Sequence, residues 1–482
     1  MFHHNHHHHH KNPMDHLIKK ASGLFHHDDD QGDTNTQQTA DTDIETSHTA
    51  KYYLARNDQI EEPGHVPRGD CASLKDVIHG PEDPTPYLNP LDDNFRHEII
   101  KYGEFIQGTY DAFDFNTYSD YCGSCLYSID RMFEKVGLAR NGYIMTKYLY
   151  AMSRARLPRW LEKSWHPNAW NYDSNWIGYM AVSNDEETAR IGIRDIVVPW
   201  RGTMAAGEWL KDFEFLLQHI GPDKDDDIKV EHGFYSLYSS KSDDTRYNQT
   251  SAQDQFLTEL RRLVNFFRER GEQVSLTTTG HSLGAALAYL AAYDAAQEFQ
   301  DLPVTIVTFG GPRVGNNKFC DFLEQRKVKA IRVVVKHDFI PRMPGIVFNK
   351  ELEKIEEVAD SWHWLYTHYG HVLEIDVESS PYVNHKRDSS GYHNLELHLH
   401  LIDGHISSSE MTKFRENAKR DVALVNKSCG MLKEETLVPS CWYQPAFKGL
   451  VRNHLGRWVI PQREPEDIPP PPDTVTPLSV FE

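Results

Sequence analysis

The sequence predicts an α/β fold: a mainly parallel central sheet flanked by helices, with disordered N- and C-terminal tails. Short apolar runs rich in β-branched residues recur at "DIVVPW" (195–200), "QVSLTTTG" (273–280), "PVTIVTFGG" (303–311) and "KAIRVVVKHD" (329–338). A stretch of helical spacing, "DQFLTELRRLVNFFRER" (254–270), lies between two of them. Strands that alternate with helices build parallel sheets covered on both faces, because each helix buries its apolar stripe against the sheet.

In chain order, residues 1–60 begin "MFHHNHHHHHKNPMDH" and stay polar and low in complexity. Such a segment cannot bury enough apolar surface to offset its ordering entropy, so residues 1–74 are assigned to a disordered tail. Its histidine tract has the composition of a metal binder, but the reading preferred is a solvated or tag-like tail. Next, "NFRHEIIKYGEFIQGTYDAF" (94–113) sets Ile99, Ile100, Phe105 and Tyr110 at the spacing of an amphipathic helix. The folded body is expected over residues 75–462. Beyond it, "REPEDIPPPPDTVTP" reads as extended polyproline within a C-terminal tail, 463–482.

Composition excludes several functions. The 482 residues carry 51 basic and 71 acidic side chains, a net charge of −20. That sign argues against nucleic-acid binding and against simple electrostatic docking of the whole chain on anionic membranes. No apolar run approaches the roughly 20 residues that span a bilayer, so membrane contact is expected to be peripheral. The six cysteines are scattered and no signal-peptide pattern opens the chain, which reads as intracellular and reduced. "CGSC" at Cys122–Cys125 lacks a second ligand pair for zinc and reads as two ordinary cysteines in a turn.

The chemistry gathers around "TTTGHSLGAALAYLAAYDA" (277–295). G-x-S-x-G between a strand and a helix is the pattern of a nucleophile elbow. Ser282 would occupy the strained turn, with Gly280 and Gly284 small so that strand and helix can approach, and His281 structural. A nucleophilic serine needs a base, and the base an orienting acid; in this arrangement they follow as Asp, then His. Asp338 lies just past a buried strand, whereas Asp321 and Asp360 follow no strong strand pattern. For the base, "GYHNLELHLHLIDGH" offers His393, His398, His400 and His405, and spacing alone does not choose. His393 opens the apolar-periodic segment, where a loop-to-helix junction can swing an imidazole toward the serine. Metal and cofactor are not required.

The stretches "EIIKYGEFIQGTYDAFDF", "YCGSC", "WIGYMAVS", "DIVVPWRGT", "TGHSLGAALA", "GPRVGN", "HDFIPRMPG", "HNLELHLHLIDG" and "RDVALVNKSCGMLKEETLVPSCW" together resemble the class 3 lipase family, in particular the plant phospholipase A1-type acyl hydrolases. The resemblance implies an α/β-hydrolase-like fold and a triad of Ser282, Asp338 and His393. It implies an oxyanion hole of Thr203 and the Leu283 N–H, and a lid in "WRGTMAAGEWLKDF" that includes Met204, Trp209, Leu210 and Phe213. It further implies cleavage of the sn-1 ester of phospholipids, with galactolipids and triacylglycerols as further substrates. The expected setting is a membrane or lipid-droplet surface, and the expected compartment the chloroplast, with the cytoplasm as the alternative. Pro199 departs from the pattern, because a strand leading to the oxyanion residue would use its N–H; an edge or a bulge would accommodate it. Two other functions remain compatible with this fold: a non-catalytic lipase-like signalling or interaction protein, and an esterase of soluble esters.

Overall fold

A computed structural model of the chain describes residues 69–116, 119–152, 174–202, 216–344, 366–386, 388–410, 413–443, 451–459 and 463–482. Seven strands form one sheet: β1 (Tyr143–Met152), β2 (Ser174–Ser183), β3 (Arg194–Trp200), β4 (Val274–His281), β5 (Val304–Phe309), β6 (Lys329–Val335) and β7 (His371–Ile375). They stand side by side in chain order. The pairs β1–β2 and β2–β3 are antiparallel, and every pair from β3 to β7 is parallel.

A strand order that never reverses places successive crossover helices on one face when the crossovers share one hand. Helices α2 (Ala252–Glu269), α3 (Leu283–Glu298) and α4 (Asn317–Gln325) accordingly pack into one apolar cluster with Ile196, Leu276 and Ile306 of the sheet. The opposite face is closed by helices from outside the run of crossovers. These are α1 (Asp93–Asp111) and α5 (Leu395–Gly404), which share the second cluster with Val307, Phe309 and Val333.

Three expectations are corrected. The helix expected to be amphipathic at 94–113 is α1, and its charged side is covered as well: Arg96, Glu98, Lys101 and Glu104 are all buried. Burial is tolerated because the charges are paired, Lys101 with Glu98 at 2.6 Å and Arg420 with Glu104 at 3.0 Å. Residues 69–74, assigned to the N-terminal tail, are folded onto the body, with Cys71 and Leu74 buried and the Cys71 N–H donated to Arg190 O at 3.0 Å.

The C-terminal residues 463–482 are likewise not a free tail. Extended polyproline leaves its carbonyls unpaired, and the body supplies donors: Lys147 Nζ reaches Pro472 O at 2.8 Å and Arg262 Nη2 reaches Thr476 O at 3.0 Å. The Thr476 N–H bonds Thr146 O at 2.8 Å, covering part of edge strand β1. Arg463 pairs with Asp114 at 2.7 Å and Asp467 with Arg131 at 2.9 Å. At the end Phe481, 5% exposed, packs edge-on against Phe267 of α2. Phe481→Ala should therefore lower the unfolding free energy by about 3 kcal/mol, measured by urea denaturation, whereas an unpacked tail would leave it unchanged.

Candidate active site

The chain leaves β4 at His281 and enters α3 at Leu283, so the whole strand-to-helix turn falls on Ser282, at φ 60°, ψ −124°. A serine holds that backbone only where its surroundings over-determine it. The glycines provide the constraint. A Cβ on Gly280 would sit 2.1 Å from Gly284 O, and one on Gly284 would sit 2.2 Å from Trp200 O. The Ser282 N–H also bonds Phe309 O at 3.1 Å, fixing the turn to the end of β5. At the first position of α3 the Leu283 N–H has no acceptor within the helix and is available to an incoming oxygen.

Asp338 follows β6 through His337, at φ 73°, and is 2% exposed. Its Oδ1 accepts the Ile340 N–H at 3.2 Å, leaving Oδ2 to accept the His393 Nδ1–H at 2.8 Å. His393 ends a short helix (Ser389–Tyr392) and precedes Asn394, whose side chain caps α5 by accepting the Leu397 N–H. The imidazole therefore sits at the loop-to-helix junction that the sequence suggested. With Nδ1 held by the acid, Nε2 is the atom free to work. Both Nε2 and Ser282 Oγ are buried without a hydrogen-bond partner. Buried polar atoms are rarely left so, and here the two unpaired atoms are the ones a general base and its nucleophile would join.

His281 has more to do than the sequence reading allowed. Its Nε2–H donates to His393 O at 2.6 Å, which leaves Nδ1 to accept the Tyr110 O–H at 2.7 Å. Its ring stacks on that of His393, centroids 4.6 Å apart. Burial and the neighbouring His393 push its pKa well below the ordinary value, so the ring stays neutral beside the base. The other histidines pack. His398 is buried with its Nδ1–H on Asn394 O and its pKa lowered to about 4 by burial; His400 bonds Ser380 Oγ. His405 is buried as well, lowered to about 4 by the same cause.

Asp321 lies exposed on α4, away from this cluster, and Asp360 lies outside the described residues. So do Thr203, Met204, Trp209, Leu210 and Phe213. Pro199 is on an interior strand rather than at an edge; it pairs with Thr279 of β4, while β2 pairs β3 at Val197 and Trp200 and skips the residues between. The skipped stretch is where the missing N–H would have been used. Cys122 and Cys125 are buried, and burial pushes their thiols up to about 12 and about 11, far from the thiolate that redox or metal chemistry needs.

Two residues were missed by sequence reasoning. Gly310, at φ 58°, faces the acid–base pair: a Cβ there would lie 3.0 Å from Asp338 Oδ2 and 3.1 Å from His393 Nδ1. Its signal was the glycine pair ending "TIVTFGG". Arg201 lies over the Phe113 ring at 3.8 Å and donates to Trp176 O and Gly202 O, bracing the backbone that leads to residue 203.

Comparison with known proteins follows from this geometry. Residues 197–348 match the model of the family described as Lipase (class 3). Phospholipase A1-Igamma3, chloroplastic, of Arabidopsis thaliana is 42% identical over 403 residues, 79% of this chain and 76% of that one. Phospholipase A1-Igamma1, chloroplastic, of the same plant is 41% identical, over 82% and 79%. Phospholipase A1-II 6 of Oryza sativa subsp. japonica is 36% identical, over 81% and 95%.

The packing at Gly310 gives a direct test. Gly310→Ala adds a methyl against the Asp338–His393 pair at a positive φ. It should slow labelling of Ser282 by a fluorophosphonate at least tenfold, with a loss of about 1–2 kcal/mol in stability by denaturation.

Proposed function

The chain belongs to the plant phospholipase A1-type acyl hydrolases of the class 3 lipase family, and from that premise we propose that it cleaves the sn-1 acyl ester of glycerophospholipids through an acyl-enzyme on Ser282. The observation that carries the mechanism is the His393–Asp338 hydrogen bond combined with an unpaired Nε2 and an unpaired Ser282 Oγ. His393 Nε2 takes the hydroxyl proton as Oγ bonds to the ester carbonyl carbon. The carbonyl oxygen gains the negative charge and is met by the Leu283 N–H and by Thr203. Collapse of the tetrahedral adduct breaks the ester C–O bond, and Nε2 returns the proton to the departing lysophospholipid oxygen. Water then attacks the acyl-enzyme with His393 again as base, releasing the fatty acid and restoring Ser282.

Asp338 keeps the proton on Nδ1 and stabilises the imidazolium that forms. The neutral His281 alongside adds no second positive charge and does not compete for the transferred proton. Galactolipids and triacylglycerols share the ester chemistry and are secondary substrates in this reading. Three Arabidopsis relatives at 41–42% identity are named chloroplastic, which supports a plastid location. Among the described residues no helix is long and apolar enough to cross a membrane, so the enzyme would meet its substrate at a lipid surface.

The deciding experiment uses phosphatidylcholine with distinguishable acyl chains. Wild type should release the sn-1 chain and Ser282→Ala should release neither. Asp338→Asn, which leaves the shape but not the tautomer control, should reduce turnover by about 1,000- to 10,000-fold. Turnover that survives Ser282→Ala would overturn the mechanism. A wild type silent on phospholipid, galactolipid and triacylglycerol alike would favour the non-catalytic binding protein.

A further inference from the structure

Residues 451–459 form a two-stranded hairpin, β8 (Val451–Arg452) against β9 (Trp458–Val459). Among the described residues its hydrogen bonds run only within itself: the Asn453 N–H donates to Arg457 O, and Asn453 Oδ1 accepts from the N–H groups of Leu455 and Arg457. The body does not shelter its apolar side chains either. Leu455 is 66% exposed and Trp458 is 63% exposed. A leucine and a tryptophan raised on a small ordered hairpin are an unused source of hydrophobic free energy.

Charge identifies what would use it. The hairpin carries Arg452, His454 and Arg457 and no acidic residue, within a chain of net charge −20. The Arg452 guanidinium lies over the Trp458 ring at 5.3 Å. Of the acids that follow, Glu466 and Asp467 are tied to Arg131. A chain this acidic is repelled as a whole by an anionic surface, so approach to one needs a local cationic element. Tryptophan beside arginine is the pairing suited to a lipid interface, the ring in the headgroup layer and the guanidinium on phosphate.

Position completes the argument. On one side of the hairpin Tyr443 donates to Asp111 O at 2.9 Å, and on the other Arg463 pairs with Asp114 at 2.7 Å. Asp111 ends α1 immediately after Tyr110, whose hydroxyl bonds His281 beside Ser282. The described residues that flank the hairpin in sequence, Tyr443 and Arg463, are therefore tied to the segment at the end of α1 that borders the nucleophile.

We propose that the hairpin 451–459 docks the enzyme on an anionic, phosphate-bearing lipid surface, with Leu455 and Trp458 entering the interface and Arg452 and Arg457 meeting lipid phosphates. The proposal deepens the phospholipase reading and rests on it for the identity of the surface. It locates membrane recognition outside the catalytic machinery, on an element whose flanking residues are tied to the end of α1.

The test uses the full chain carrying Ser282→Ala, so that vesicles are not consumed, and measures co-sedimentation with phosphatidylcholine vesicles with and without phosphatidylglycerol. The parent should bind the phosphatidylglycerol vesicles more tightly, and less so as salt rises. Leu455→Ser with Trp458→Ser should weaken partition onto both vesicles about tenfold or more. Arg452→Gln with Arg457→Gln should remove most of the preference for phosphatidylglycerol, about fivefold per cation. With Ser282 restored, both hairpin variants should keep wild-type kcat/KM on a monomeric short-chain ester while losing activity on vesicles.

A parent that does not bind, or hairpin variants that bind as tightly as the parent, would overturn the proposal. So would variants that lose soluble-ester activity in parallel, or that change only the oligomeric state on size exclusion, which would make the hairpin a contact between copies. Failure of the acyl-hydrolase reading would be separately visible, as soluble-ester hydrolysis that is absent from wild type or survives Ser282→Ala; vesicle partition would still decide the hairpin.

Discussion

The site depends on one constrained turn. Ser282 can hold its strained backbone because β3, β4 and α3 approach closely enough that carbonyl oxygens occupy the space where side chains on Gly280 and Gly284 would be. That contact turns a reversal of direction into a rigid mount for a hydroxyl. It also leaves the first N–H of α3 without an acceptor in the helix, so the proposed nucleophile and the proposed oxyanion donor are set by the same few atoms. Every other participant is placed relative to that turn: Asp338 by the end of β6 and His393 by the start of α5, on the far face of the sheet.

Around the base the protein uses neutral groups rather than charge. His281 is fixed in one tautomer by Tyr110 on one side and the His393 carbonyl on the other. His398, edge-on to His281, is also held below its ordinary pKa by burial. A positive charge on either would disfavour the imidazolium on His393. Among the described residues Asp338 is the carboxylate bonded to His393, at Nδ1, which leaves Nε2 to face the Ser282 hydroxyl.

Much of this was legible in the sequence where the residue pattern and the physical cause coincide. The four β-branched runs became β3, β4, β5 and β6 because buried parallel strands are apolar on both faces and show as continuous runs. The elbow was legible because its glycines are steric necessities. His393 was left undecided by spacing, since four histidines share one helix-like stretch and only tertiary packing distinguishes a junction from a buried face. The antiparallel pair β1–β2 and the exposed edge β7 gave no comparable run. The glycine pair at Gly310 marked a turn but not the Asp338 and His393 it faces, and no local pattern ties Arg201 to Trp176 and Phe113 earlier in the chain. The C-terminal polyproline was misread because its partners, Lys147 and Arg262, lie hundreds of residues earlier.

The uninterrupted strand order also bears on how the molecule is made. One face of the sheet is covered by helices that arrive between its strands, so it closes locally as the chain advances. The other waits for α1 and α5, which meet across roughly three hundred residues of sequence. Contacts that span so much sequence slow folding relative to local ones. His393 sits at the threshold of α5, so the helix that completes this face of the sheet is also the one that brings the imidazole to Asp338: covering the core and assembling the site are one event.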